Sequence, residues 1–420
     1  MQTLVRRMSP FGLVVALIAI FLLAPRPVQA AEVNGIWTEA GTKDAGEWTG
    51  AEWLKKIKVR GWLESAFVHN FNEPHRTAVN ANQGSSVVKG QNTTIEGRTF
   101  DIHNDVPRIA LAEVEVEKVP TLGEWAGAGF KLDVNWGDDP EIIYDTIQGA
   151  VGEGLLNHAD KAIQHATVGW VAPVGKGLRM DAGKFVTHIG GETIEGIKNN
   201  NLSHGFLYSY AIPFQDTGVR VNYPWSDKFY TELYVLRGWN VTTGDNNSGT
   251  TVGPSIGWLP SSWFNLYLNY LVGPEQRNND SHLRHLVDFQ AFINQPLPKL
   301  NLLLFGDLGL EENAVFGGTQ DTAWYGLGLV TRYQLTDRLE PAVRLEFMRD
   351  EDGFATGVDQ NLYGVTLTLN YKIPLKKGFS LLIRPEYRFD KATENFYTKD
   401  NSFRSKTTQH TIGVGAYIYF

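Results

Sequence analysis

Three short runs in this sequence set charged side chains two residues apart. Arg344 and Glu346 form one, Arg384, Glu386 and Arg388 a second, and Glu113, Glu115 and Glu117 a third. A spacing of two puts each run on one face of an extended strand. Opposite charges along a wall that meets water set up a transverse field, which orients and dehydrates passing solutes selectively. The competing reading is structural: Arg and Glu on adjacent strands neutralise one another as wall salt bridges. The acidic row would favour cations, and a solvated wall explains it equally well.

Other chemistries find little support. The Ser and His residues show no nucleophile signature, and His158, His165, His188 and His204 lack metal-ligand spacing. The clusters Asp138-Asp139-Pro140-Glu141 and Asp350-Glu351-Asp352-Gly353 offer carboxylate oxygens of the kind Ca²⁺ prefers, without the alternating spacing of a calcium loop. They read as solvated loop charge. No catalytic residue, resident metal or cofactor is expected.

The elements that must carry the charged runs are strands. From Arg338 to Met348, Leu339, Val343, Leu345 and Phe347 share one face, with Arg338, Glu340, Arg344 and Glu346 on the other. Phe379 to Asp390 repeats this, with Leu381, Ile383, Tyr387 and Phe389 opposite Arg384, Glu386, Arg388 and Asp390. At the end of the sequence Ile412, Val414, Ala416, Ile418 and Phe420 alternate with Thr411, Gly413, Gly415, Tyr417 and Tyr419. A soluble sandwich would turn the apolar face inward, whereas a membrane barrel turns it out to lipid. Alternation alone does not choose between them.

Connection lengths do. Short links rich in Pro, Gly, Asp and Lys fall at Pro120–Trp125, Pro173–Gly177, Pro224–Lys228, Pro260–Ser262, Gln295–Lys299, Gln334–Asp337 and Ile373–Gly378. They alternate with long polar links near Asn70–Asp105, Gly137–Gln164, His188–Gln215, Asn240–Thr250, Gly273–Ser281, Leu310–Asp321, Asp350–Gln360 and Lys391–Thr407. Short turns on one side and long loops on the other mark a transmembrane barrel. Hairpins ending on the starting side require an even strand count, so Gly205–Ile212, a seventeenth candidate, belongs to the loop His188–Gln215. The expectation is an all-β, antiparallel transmembrane barrel of about 16 strands over residues 57–420.

That loop carries the apolar stretch Phe206, Leu207, Tyr208 and Tyr210, which needs burial. Folding into the lumen would bury it and narrow the channel, with Glu192, Glu195 and Lys198 facing the wall arginines across the pore. The alternative is an outward loop capping its neighbours.

Ahead of the barrel, Arg6 and Arg7 precede an apolar run from Phe11 to Leu23 and then Val28-Gln29-Ala30. The run is shorter than the ~20 residues a membrane helix needs, so residues 1–30 read as a cleaved export signal. Removing Arg6, Arg7 and Arg26 lowers Lys plus Arg from 38 to 35 against 46 Asp plus Glu, a formal charge of -11. Such an acidic chain is a poor partner for nucleic acid. Residues 31–56, with Trp37, Trp48 and Trp53, read as a periplasmic or lumenal segment with a short helix around Glu47–Lys56. The sequence has no cysteine, so stability rests on closing the sheet, which leaves no edge.

Three positions strain the register. Lys184 falls on the lipid face, where a midplane lysine costs ~2–4 kcal/mol, so it belongs near an interface or a bulge shifts the strand. Pro341 and Pro385 lie inside strands, where proline deletes a ladder hydrogen bond and usually marks a bulge or boundary.

Gly61-Trp62-Leu63-Glu64-Ser65-Ala66-Phe67, the run Leu111 to Lys118, and Gly183-Lys184-Phe185-Val186-Thr187 leading into Ile189-Gly190-Gly191-Glu192 resemble the β-barrel porin-2, OmpL-like family of bacterial outer-membrane proteins. The resemblance runs through most of the mature chain in order and spacing. It implies an outer-membrane porin that passes small hydrophilic solutes, and it brings no catalytic residues. Terminal Phe420 on an alternating strand resembles the signal read by the barrel assembly machinery. The expected surroundings are outer-membrane lipid and lipopolysaccharide. A homotrimer agrees with the strand number, although no interface signature marks it. Two other classes compete: a non-conducting structural or adhesive barrel, whose lumen would be plugged, and a hydrolase with nucleophile and base meeting at the barrel rim.

Overall fold

The computed structural model describes residues 43–44, 56–74, 95–101, 103–122, 128–148, 161–242, 244–315, 318–400 and 402–420. The export segment 1–30 and the helix expected around Glu47–Lys56, except Lys56 itself, lie outside them.

Sixteen strands make the barrel. In chain order they are β1 Lys58–Asn70, β2 Arg108–Lys118, β3 Gly129–Trp136, β4 Ile163–Ala172, β5 Leu178–Val186 and β6 Gln215–Ser226. Next come β7 Phe229–Leu236, β8 Thr251–Ser261, β9 Phe264–Gln276, β10 Asn279–Asn294 and β11 Leu300–Val315. The last five are β12 Gln320–Tyr333, β13 Leu339–Asp350, β14 Gln360–Pro374, β15 Ser380–Ala392 and β16 Thr408–Tyr419. Each pairs antiparallel with the next, and β16 returns to β1 in the register Ile418↔Leu63 and Ile412↔His69. The circle is closed. The two-residue strand Lys43–Asp44 pairs with the foot of β1, and a small ladder of Tyr397–Lys399 with Ser402–Lys406 sits in the loop before β16.

Alternation sorts the faces. Leu345, Leu367, Ile412, Val414 and Ile418 are exposed outward, while Arg344, Met348, Thr366, Arg384 and Tyr417 are buried on the inner side. The exposed Trp170, Trp225, Trp258, Tyr333 and Tyr371 lie toward the short-turn ends of their strands and Phe379 in a short turn itself, an interfacial aromatic girdle. No described helix is long and apolar enough to cross a membrane. The crossing is made by strands, whose backbone groups are satisfied by the closed ladder.

The seam is held by the final residue. Phe420 and Gly61 exchange backbone hydrogen bonds at 3.0 and 3.3 Å, and the Phe420 ring occupies the space a side chain at Gly61 would need. It also packs on Phe379, with ring centroids 5.3 Å apart.

Several expectations need correction. The links Gly273–Ser281 and Leu310–Asp321 are extended hairpins and not long loops, since the ladders run out to Gln276↔Asn279 and Val315↔Gln320. Beyond the membrane both faces of a strand meet water, so alternation fades before pairing does. Pro341 and Pro385 bring no bulge: the β13–β14 and β15–β16 registers continue unshifted, and only the β14–β15 ladder omits the two pairs around Pro385. Lys184 keeps the unshifted register, two residues before β5 ends at Val186, at the long-loop side. Finally, the acid clusters are not merely solvated. Asp138 and Asp139 open the helix α1, Asp138–Gln148, and buried Asp139 pairs with Arg108 at 2.6 Å. Buried Asp350 accepts the N–H groups of Ala355 and Thr356 at 3.0 and 2.6 Å. Tight turns leave amides without ladder partners, and these carboxylates supply acceptors.

Candidate functional site

The connection from β5 to β6 turns into the barrel. Its apolar stretch forms one short helix, α2, Phe206–Tyr210, with Phe206, Leu207 and Tyr208 buried. They join a core with Phe100, Phe214, Phe305, Trp324 and Met348 inside the barrel. Gly205–Ile212 is therefore loop and not strand, and the reason is the burial its side chains require.

The loop spans the lumen because its backbone is fastened to strands on several sides. On β13, Arg344 donates to the Ser203 carbonyl at 2.5 Å and pairs with Glu192 at 2.6 Å and with Glu346 at 2.9 Å. Arg384 on β15 donates to the carbonyls of Gly196, Asn199 and Asn201 at 2.7, 2.7 and 3.0 Å and to Asn370 Oδ1 at 2.6 Å. Arg388 donates to the His204 carbonyl at 2.6 Å and pairs with Asp390 at 2.7 Å. Glu386 accepts the N–H groups of Leu202 and Ser203 at 2.6 and 3.1 Å. To either side of these strands, Glu64 on β1 accepts the Ile197 N–H at 2.9 Å, and Asp288 on β10 accepts the Gly190 N–H at 3.1 Å. On β12, Trp324 donates to the Ala211 carbonyl at 3.0 Å.

An extended loop lacks its own ladder, so its buried N–H and C=O groups need partners from elsewhere. The wall charges meet that need. Arg344, Arg384 and Arg388 are fully covered by the loop, and Glu346 and Glu386 nearly so. Glu192 touches Arg344 directly and does not face it across open water. Glu195 and Lys198 turn the other way, pairing at 2.9 Å, with Lys198 3.6 Å from Glu115. Burial pushes the Glu195 carboxyl up, but Lys198 and Lys131 outweigh it and leave it below the usual range. Burial likewise opposes charge on Lys198, and Glu195 and Glu115 overcome it, so the ammonium is held above its ordinary value.

Glu115 also pairs with Arg60 and, at 3.2 Å, with Lys131. Glu113 is buried beside it on the same face. A bulge between β3 and β4 opposes Asp133↔His165 to Val134↔Ile163, which leaves Gln164 extra and buried. Its amide donates to Glu195 at 2.8 Å. That contact was invisible in the sequence, because strict alternation turns Gln164 outward. Glu64 could have been found, since it is the charged residue on the inward face of the run Gly61 to Phe67.

At the long-loop side of the docked segment lies a cavity of about 400 Å³ lined by Tyr210, Phe214, Trp239, Arg284, Trp324 and Phe354, among others. The Arg284 guanidinium lies over the Trp239 ring at 4.9 Å and pairs with Glu311 at 2.5 Å.

A profile of the family described as beta-barrel porin-2, OmpL-like, matches residues 56–420. The chain belongs to that family. This porin resides in the outer membrane and is a passive channel by family. Its barrel is similar to OprB of Pseudomonas putida, at 12% identity and a TM-score of 0.52 over 86% of this chain and 93% of that one. It is also similar to the outer membrane channel DcaP of Acinetobacter baumannii, at 9% identity and a TM-score of 0.50 over 92% of this chain and 100% of the other. At these identities the likeness concerns the fold. No curated relative matches the porin.

Proposed function

We propose that the lumen conducts small hydrophilic solutes by passive diffusion and that the loop between β5 and β6 sets its width. The observation that carries this reading is the docking of that loop on inward faces of strands around the barrel, through Glu64, Asp288, Arg344 and Arg384. A segment fixed across a water-filled barrel restricts the passage to what remains beside it, and the charges beside it grade solutes by sign. Glu113, Glu115, Glu192, Glu195 and Lys198 are the charges proposed to act in this way, with Arg344, Glu346, Arg384, Glu386 and Arg388 holding the loop in place. The reading is of a channel and not an enzyme, since the inward charges that hold the loop are engaged in ion pairs and backbone hydrogen bonds. A homotrimer is part of the proposal.

Planar-bilayer recording tests it. Shortening the loop between Gly190 and His204 should raise single-channel conductance, and replacing Glu192 and Glu195 by Gln should move selectivity toward anions. A purified barrel that inserts and carries no current would instead be a plugged structural barrel.

A further inference from the structure

Beyond the seam from the arginines, carboxylates of three separate segments converge: Glu113 from β2, Asp133 from β3 and Glu195 from the docked loop. One oxygen from each lies within 4.8 Å of the others, and all three residues are buried. Glu113 is 3% exposed, yet neither of its carboxylate oxygens has a hydrogen-bond partner among the described residues. A buried, unpartnered carboxylate is costly and calls for a counter-charge. Its neighbours are partly provided for, since Lys131 lies 3.3 Å from Asp133 and Lys198 lies 2.9 Å from Glu195. Five acids, Glu113, Glu115, Glu117, Asp133 and Glu195, share this network with three bases, Arg60, Lys131 and Lys198, which leaves two negative charges.

We propose that Glu113, Asp133 and Glu195 bind one divalent cation, Ca²⁺, and that the ion staples the docked loop to β2 and β3. An all-oxygen set selects a hard cation. Ca²⁺ accepts six to eight oxygens in variable geometry, whereas Mg²⁺ demands near-ideal octahedral geometry and gives up its waters reluctantly, which a three-carboxylate set from separate segments does not provide. Oxygens within 4.8 Å of one another can all reach one Ca²⁺, whose coordination is flexible and whose remaining positions would be filled by water. One ion also cancels the two charges left over. Spacing does not reveal this site, because Glu195 lies far along the chain from the other two ligands and the three follow no calcium-loop pattern.

The test needs no ion current, so its outcome is independent of the channel reading. The full barrel in detergent, stripped with EDTA, is titrated calorimetrically with CaCl₂ and then with MgCl₂. One Ca²⁺ per chain is expected, with Mg²⁺ weaker. Glu113→Gln should weaken Ca²⁺ binding by at least about tenfold, and Glu394→Gln, an exposed loop acid, should leave it unchanged. If Glu113→Gln does not assemble, Glu195→Gln on the loop carries the same expectation. Absence of saturable Ca²⁺ binding in the parent protein, equal affinity in the ligand variants, or preference for Mg²⁺ would overturn the assignment.

Discussion

Replacing Arg384 with alanine should loosen the docked loop while leaving the barrel intact. Arg384 is fully buried and supports three loop carbonyls within a span of six residues, Gly196 to Asn201. Hydrogen bonds from a charged donor are worth about 1.5–3 kcal/mol each, and the alanine takes that donor from three carbonyls, of which Gly196 keeps the Asn199 N–H. Because the three act as a unit and are not additive, a loss of about 4 kcal/mol in docking is a fair working figure. The β15 ladder uses backbone groups only, so closure is untouched. At about 1.4 kcal/mol per tenfold, the open fraction of this segment rises roughly a thousandfold. Trypsin reads that fraction at Lys198, which lies within the segment, when opening is fast relative to cleavage. Fragment analysis should show cleavage after Lys198 accelerated by about that factor, and bilayer traces should show larger, noisier steps. Arg384→Lys should fall between, because a compact ammonium cannot span three carbonyls as a guanidinium does. Unchanged cleavage at Lys198 together with unchanged conductance would refute the idea that Arg384 holds the loop.

Three further outcomes follow from the same geometry. Burial holds the His188 imidazole down at about 3, with Arg220 adding to the effect, so the docked loop binds fewer protons than a released one; docking is fully stable above pH 6.5 and weakens as pH falls toward 3. At pH 5 the loss is about 2 kcal/mol, seen as more frequent open-loop events than at pH 7.5, and His188→Phe should flatten that dependence. Deleting Phe420 removes the ring over Gly61 and two seam hydrogen bonds, and should slow assembly as judged by heat-modifiable gel mobility; normal insertion would speak against the seam's role. In this cysteine-free chain, Glu117→Cys, inward and partly exposed, should react with a water-soluble thiol reagent in the folded barrel, whereas Leu345→Cys on the lipid face and Arg344→Cys beneath the loop should not; labelling of Leu345→Cys would mean that the faces are reversed.

The barrel was legible because its two signals are local. Period-two alternation in Arg338–Met348 and in the final strand declares a two-faced sheet, and the seven short links fix the hairpin rhythm and so the parity. The inward course of the β5–β6 loop was also legible, from Phe206, Leu207, Tyr208 and Tyr210 needing a place to bury. What could not be read was the partner of each charge. Arg384 looks like a free wall cation in one dimension, but its partners are carbonyls, which carry no residue identity. Gln164 reaches Glu195 only through a bulge, and Glu113, Asp133 and Glu195 meet only because the loop crosses the lumen. Long-range pairing and backbone acceptors both lie outside what spacing encodes.

The arginine clamp also fixes an order of events in biogenesis. The Ser203 carbonyl and Arg344 are 141 residues apart, and the Gly196 carbonyl and Arg384 are 188 apart. The loop is made early, between the fifth and sixth strands, yet the side chains that hold it belong to the thirteenth and fifteenth. Contacts of such separation form late, since the intervening chain must first be ordered. Until then the loop has no seat, and a partly assembled wall would be an unrestricted hole. Permeability is therefore set in the final stage of assembly, when the cell gains a sealed wall and a calibrated opening together.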